Sequence, residues 1–184
     1  MQILTLRYAL LILTLTLSGT ALGMSPTLEA ILAGVDSVPN RSQLLMVLDN
    51  AVDELEATAS NESAPLYHRI RATSFLSTLN ADGGRDALLR LCDQSNPEIR
   101  RHAVYGLLRS TPGELTAQEW GKVSGMLQTD SANIKKDIVR GFRWSHDPRS
   151  AERLSALSLE AGPLKSLAIH VAKRRAVLMK APVR

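Results

Sequence analysis

The chain has 184 residues, which is enough for one domain of ordinary size or a short array of repeats. Hydrophobic residues make up 45% and charged residues 22%, a balance that excludes an intrinsically disordered chain. The net charge is +4. Because aromatic residues are scarce while Leu and Ala are abundant, the composition favours closely packed helices over a β-sandwich.

The first 23 residues are predicted to be a secretory signal peptide. Arg7 supplies a positive charge, residues 8–17 form an apolar run, and small residues precede Met24. This order predicts cleavage after Gly23 and export to a periplasm or to the outside of the cell. An uncleaved membrane anchor is the alternative, because the uncharged stretch 8–24 lies at the lower edge of spanning length.

Beyond the signal, helical patterns alternate with short turns, and no segment has the alternation typical of a strand. A lead-in at 24–40, with a short helix at 27–35, precedes a helical domain predicted at 41–182. The helices of that domain are predicted at 41–59, 65–79, 85–92, 97–107, 116–128, 131–143, 150–160 and 163–180. Short connections make consecutive helices lie antiparallel, as helical hairpins.

A short pattern recurs in the second helix of each predicted hairpin: an apolar residue, a basic residue, then a small and a large apolar residue at helical spacing. It is clearest in Ile99, Arg100, Ala103 and Leu107, and it recurs as Ile134, Lys135, Ile138 and Phe142. Weaker copies are Arg69, Ala72 and Leu76 upstream, and Leu164, Lys165, Ala168 and Ala172 downstream. One hairpin cannot bury its own apolar face, so a sequence of such repeats predicts a stacked array.

This pattern, opened by Asn96-Pro97-Glu98, resembles the second helix of a HEAT-type repeat, and in particular the short variety of phycobilisome-lyase-like HEAT proteins. The resemblance covers roughly residues 41–180, although the first helices match it less well. It implies an all-α, right-handed solenoid of about four stacked hairpins. It also implies a protein-binding module rather than an enzyme.

Charge is divided unevenly between the two halves of the chain. Residues 24–96 contain 5 Lys and Arg against 10 Asp and Glu, whereas residues 97–184 contain 16 against 8. Arg69, Arg100, Lys135 and Lys165 occupy one position of the repeat frame, with Arg101, His102 and Lys136 beside them. Equivalent positions align in stacked repeats, so these residues are predicted to form a basic binding surface. The structural alternative is that each base pairs with an acidic residue or turn of the neighbouring repeat.

The expected function is that of an exported scaffold or adaptor that binds a protein through the inner, second helices of its hairpins, with an acidic protein among the candidate partners. No catalytic residue, metal ligand or cofactor is predicted, because no phosphate loop, zinc motif or serine-hydrolase motif occurs. Two alternatives remain: an enzyme subunit with a small-ligand pocket on the same surface, and a binder of membrane surfaces or anionic ligands through the last helix. That helix carries Lys173, Arg174 and Arg175 beside an apolar stripe. Nucleic-acid binding is not favoured for an exported protein.

The remaining polar and sulfur-containing side chains give structural predictions. Cys92 follows a Leu-rich helix and has no second cysteine to pair with, so it is predicted to be a small buried residue, with an intermolecular disulfide as the alternative. The adjacent His146 and Asp147 are predicted to form a turn and a helix cap rather than a hydrolytic pair.

Overall fold

The computed structural model describes residues 24–34, 38–110, 113–129 and 131–179. The predicted signal peptide lies outside these residues. The described part of the chain is all helical and contains no strand, as the composition and periodicity predict. The described residues form ten α-helices: α1 (Pro26–Ala33), α2 (Arg41–Val47), α3 (Ala51–Ser60), α4 (Leu66–Leu76), α5 (Gly84–Leu91), α6 (Pro97–Ser110), α7 (Ala117–Met126), α8 (Ala132–Gly141), α9 (Pro148–Leu159) and α10 (Lys165–Leu178). A 3₁₀ segment, Ser77–Asp82, joins α4 to α5.

Local chemistry explains where several helices begin. The Ser25 hydroxyl accepts from the Leu28 amide at 3.2 Å, and Pro26 occupies the first helical position of α1. Asn40 and Gln43 form a reciprocal capping box at the start of α2, and Thr116 and Glu119 form another at the start of α7. These side chains satisfy amide groups that have no partner within the first turn of a helix.

One predicted helix, at 41–59, is divided in the structure into α2 and α3. Leu48 has an extended backbone, and the Asp49-Asn50 turn separates the two helices. The apolar spacing continues across the break because Leu44 and Leu48 are both buried although the chain changes direction after them. Asp and Asn favour turns over helix interiors because their side chains compete for local backbone groups.

The contacts between elements connect the helices in sequence-adjacent pairs. The sequence-adjacent pairs α3–α4, α5–α6, α7–α8 and α9–α10 each pack together. The second helix of each pair also packs on the second helix of the next pair, so α4 contacts α6, α6 contacts α8 and α8 contacts α10. We call α4, α6, α8 and α10 the second-helix layer. A single cluster of buried apolar side chains extends from Leu28 in α1 to Val171 in α10.

Close helix approach depends on two glycines of the second-helix layer. A Cβ on Gly106 would lie 3.0 Å from Leu88 Cδ1, and a Cβ on Gly141 would lie 2.8 Å from Leu108 Cδ1. Both distances are shorter than ordinary carbon contacts, so glycine is what allows α6 to approach α5 and α8 to approach α6. The turn before α5 uses a different property of glycine, because Gly83 has a φ of 95°, in the left-handed region.

Candidate binding surface

The four basic residues that share one position of the repeat frame have different surroundings. Arg69 is buried and its Nε donates to the Ala59 carbonyl at 3.0 Å, at the end of α3. Arg100 Nη1 donates to the carbonyls of Gln94 and Ser95, at 2.7 and 2.6 Å. Both guanidinium groups therefore hold the chain that precedes their own helix, where carbonyls have no helical partner. For these two residues the partner is a backbone carbonyl of the same hairpin, and not the acidic residue or turn of the neighbouring repeat that the structural alternative named.

Lys135 and Lys165, at the same position of the frame, do come together. With Lys136 and Glu160 they line a cleft of about 220 Å³ between the start of α8 and the turn from α9 to α10. Within the described residues, none of these three ammonium groups has a hydrogen bond or an ion pair with another side chain. One carboxylate therefore faces three cations, and this part of the predicted basic surface is open to an anionic partner.

Arg101 and His102, by contrast, belong to a polar cluster between α6 and α8. Arg101 Nε donates to Glu98 Oε2 at 3.0 Å, and its Nη1 forms an ion pair with Asp137 of α8. The charge of Arg101 is thus met by two carboxylates. His102 Nε2 lies 3.2 Å from Arg101 Nη2. Burial and, second, the neighbouring guanidinium lower the pKa of His102, so its imidazole is neutral near pH 7.

A second cleft, which the sequence did not predict, lies on the second-helix layer farther along the chain. It has a volume of about 360 Å³ and is lined by residues of α6, α8, the turn after α8, and α10: Tyr105, Arg140, Arg143, Leu167, His170, Val171 and Arg174. We call it the basic cleft. Its lining includes three Arg and one His but no carboxylate. Arg140 is paired with Asp137 at 2.6 Å, whereas Arg143 and Arg174 have no ion pair among the described residues.

Two guanidinium groups in and beside the basic cleft lie close to aromatic rings. The Arg143 guanidinium lies 4.3 Å from the centre of the Trp144 ring, and that of Arg109 lies 6.0 Å from the Tyr105 ring. Such contacts orient a guanidinium without neutralising its charge. One feature of the sequence could have indicated this cleft. When the repeat that contains Lys165 is aligned with the repeat that contains Lys135, His170 falls at the position of Arg140, so two basic residues share one position of the repeat.

The three consecutive bases of α10 do not share one surface. Lys173 and Arg174 are exposed, but Arg175 is buried, and its guanidinium donates to the carbonyls of Ser145 and Asp147 at 2.7 and 3.1 Å. Burial lowers the pKa of Arg175, which nevertheless stays a cation at neutral pH. The basic motif of the predicted membrane-facing helix therefore presents two charges, not three, to solvent.

Asp147 is the centre of a buried polar network that the sequence indicated only as a turn and a cap. It caps α9 by accepting from the Arg149 amide at 2.9 Å, and its other oxygen accepts from the Leu115 amide at 2.7 Å. Arg149 adds an ion pair at 2.6 Å. Burial opposes ionisation of Asp147, but the hydrogen bonds from Arg149 and Leu115 outweigh burial and hold its pKa below the ordinary value.

Cys92 is buried at the end of α5, as its Leu-rich surroundings predict, and its thiol donates to the Leu88 carbonyl at 3.3 Å. Burial raises the pKa of this thiol to about 12. Cys92 is therefore a neutral thiol at physiological pH, without the thiolate that disulfide exchange requires.

No protein-family model, curated protein or solved structure matches this chain. Among the described helices, none is long and apolar enough to cross a membrane. Within the same residues, no three His, Cys, Asp or Glu side chains are grouped in a way that would hold a metal ion.

Proposed function

We propose that this protein is an exported HEAT-like repeat module that binds an acidic protein partner through the second-helix layer, without catalysing a reaction. The observation that carries the proposal is the set of cations on this layer that have no carboxylate partner among the described residues. They are Lys135, Lys136 and Lys165 around one cleft, and Arg143 and Arg174 in the basic cleft. A surface with several unneutralised cations attracts an acidic partner and accelerates its association.

Recurring contacts between hairpins support the solenoid arrangement. Glu56 of α3 pairs with Arg90 of α5, and Arg85 of α5 pairs with Glu119 of α7; each pair is separated by 34 residues. Arg149 of α9 donates to the Leu115 carbonyl, which lies 34 residues earlier, just before α7. Regular polar contacts at one repeat length are what stacked hairpins produce, since equivalent positions of neighbouring repeats lie side by side.

Export rests on the N-terminal sequence, with its single positive charge, its apolar run and the small residues before Met24. On this proposal, the native protein begins at Met24 and acts in a periplasm or outside the cell. The partner is then another exported protein or the exported part of a membrane protein. Intact mass measurement of the native protein identifies its first residue and so tests the cleavage.

The binding proposal is tested by affinity capture from the native exported fraction, with the chain from Met24 as bait and mass spectrometry as readout. We expect one reproducible partner, and we expect the double variant Lys135→Glu, Lys165→Glu to lose at least about 90% of it, because reversing charges at an interface removes attraction and adds repulsion. Arg100 is not a suitable position, since its substitution would release the Gln94 and Ser95 carbonyls.

The matched control is Lys122→Glu, Lys173→Glu, which makes the same change in net charge at residues that line neither cleft; Asp93, the ion-pair partner of Lys122, lines neither cleft either. Circular dichroism establishes that both double variants keep their helical content. Equal loss of the partner from both variants would mean that net charge alone drives capture. Full capture by the Lys135 and Lys165 variant would remove this surface from the function.

A further inference from the structure

The basic cleft differs from the rest of the second-helix layer because three arginines and a histidine line one cleft. Arg143 projects from the turn after α8 and Arg174 from the middle of α10, and both line the same volume of about 360 Å³ as Arg140 and His170. That volume lies within the range of small-ligand sites in proteins. Asp137, which lies three residues before Arg140 on α8, is paired with Arg140 and Arg101 and does not line the cleft.

One donor of the cleft also lacks an acceptor. The Nε of Arg143 is buried and has no hydrogen-bond partner within the described residues, although its guanidinium is oriented by the Trp144 ring. A buried donor without an acceptor is unfavourable, so a small movement of the Arg143 side chain that turns this nitrogen toward a bound oxyanion would gain a charge-assisted hydrogen bond. Leu167, Val171 and the Tyr105 ring give the rest of the lining an apolar character.

We propose that the basic cleft binds a phosphomonoester, with the phosphoryl group between Arg143 and Arg174 and the organic part against Leu167, Val171 and Tyr105. Two guanidinium groups that have no carboxylate partner among the described residues match the charge of a dianion, and their planar donors match the geometry of phosphate oxygens. A carboxylate or a phosphodiester has one negative charge and would leave the second guanidinium unneutralised.

This inference deepens the proposed function, since it names an anionic group that the second-helix layer would recognise. A phosphorylated side chain of the protein partner and a free phosphorylated metabolite supply the same chemistry. Phosphatase treatment of the exported fraction before capture distinguishes these sources. Capture that falls after treatment indicates a phosphorylated partner, whereas unchanged capture indicates that the cleft takes a free ligand.

The direct test is a calorimetric titration of the chain from Met24 with phenyl phosphate at pH 8, where the ester is a dianion. Benzoate and dimethyl phosphate are the monoanionic comparisons. We expect saturable binding of phenyl phosphate, at least about tenfold tighter than either monoanion, because one further charge-assisted hydrogen bond corresponds to about a tenfold change. Arg143→Gln and Arg174→Gln should each weaken it about tenfold, and Lys173→Gln on the same helix should leave it unchanged.

Equal affinity for all three anions would overturn the inference, as would an equal effect of the Lys173 variant. The absence of saturation up to about 10 mM phenyl phosphate would also overturn it, since such an affinity is too weak for a built site. The proposed function fails separately. If phenyl phosphate binds tightly but affinity capture recovers no protein, the proposed function is wrong and the phosphomonoester site stands. If capture recovers a partner but phenyl phosphate does not bind, the proposed function stands and the phosphomonoester site is wrong.

Discussion

Asp147 and Arg175 place opposite charges inside a helical protein without a direct ion pair between them. The Asp147 carboxylate contacts the Leu115 amide before α7 and the first turn of α9, while Arg175 of α10 holds the Ser145 and Asp147 carbonyls. The turn that contains Ser145 and Asp147 thus fixes α7, α9 and α10 relative to one another. Burial of these charges is unfavourable in itself, and the number of hydrogen bonds offsets it.

Replacing Asp147 by Asn should destabilise the protein by about 3 kcal/mol at pH 7, because Arg149 and the Leu115 amide lose a charged acceptor at a buried site. The folded-state pKa of Asp147 is lowered, so its contribution is present above its unfolded pKa near 4 and disappears as the pH falls through the folded pKa. Urea unfolding of both proteins between pH 7 and pH 3 measures the difference in their free energies of unfolding, which should become smaller as the pH falls. A difference that stays constant with pH would contradict this role for the charge.

At the scale of helices, the spacing between α6 and α8 depends on the absence of a side chain at Gly141. Replacing Gly141 by Ala should destabilise the protein by about 1–2 kcal/mol, because the new methyl group would press on Leu108 Cδ1 and on the Tyr105 ring. The matched control is Gly125→Ala in α7, where a Cβ would meet no atom within 4 Å. It should stabilise the protein by about 0.5–1 kcal/mol through helix propensity. The midpoint temperature of thermal unfolding should therefore fall for Gly141→Ala and rise for Gly125→Ala. A change of the same sign in both variants would contradict the close packing at Gly141.

Helix positions were predictable from the sequence to the extent that a cap or turn residue marks each end. Ser131 and Thr116 mark helix starts and cap α8 and α7 through their hydroxyl groups. The break between α2 and α3 was not predictable from periodicity, because apolar residues on both sides keep the spacing of one helix. Whether the chain turns at Asp49 and Asn50 depends on how Leu44 and Leu48 pack, which is tertiary information.

The candidate surface was predictable only in part for a related reason. The repeat frame placed Lys135 and Lys165 in one position, and the structure brings them to one cleft. The same frame could not show that Arg69 and Arg100 are committed to backbone carbonyls, since that depends on the path of the preceding turn. The basic cleft combines side chains from three helices and a turn, and Arg143 lies beyond the end of α8, where helical spacing no longer predicts direction.

At the scale of the whole molecule, polar contacts join each hairpin to the next. Glu56 of α3 contacts Arg90 of α5, and Asp93, just after α5, contacts Lys122 of α7. Arg101 and Asp137 join α6 to α8 in the second-helix layer. Exposed ion pairs of this kind contribute little stability each. Their contribution is to the register between hairpins, because a shift of one hairpin against its neighbour would separate the paired charges.

If stability is a sum of hairpins and their interfaces, a cut between hairpins should be tolerated better than a cut within one. A chain of residues 24–144 lacks α9 and α10 but keeps three complete hairpins, whereas a chain of 24–162 lacks α10 alone and leaves Leu154 and Leu157 of α9 without their partner helix. We expect the shorter chain to keep nearly the full helical signal per residue by circular dichroism and to unfold cooperatively at a lower temperature than the full chain. The longer chain should show a lower helical signal per residue, because α9 has lost the surface on which it packs. An equal loss of helix in both truncations would indicate one shared core rather than stacked repeats, and the proposed solenoid would then be wrong.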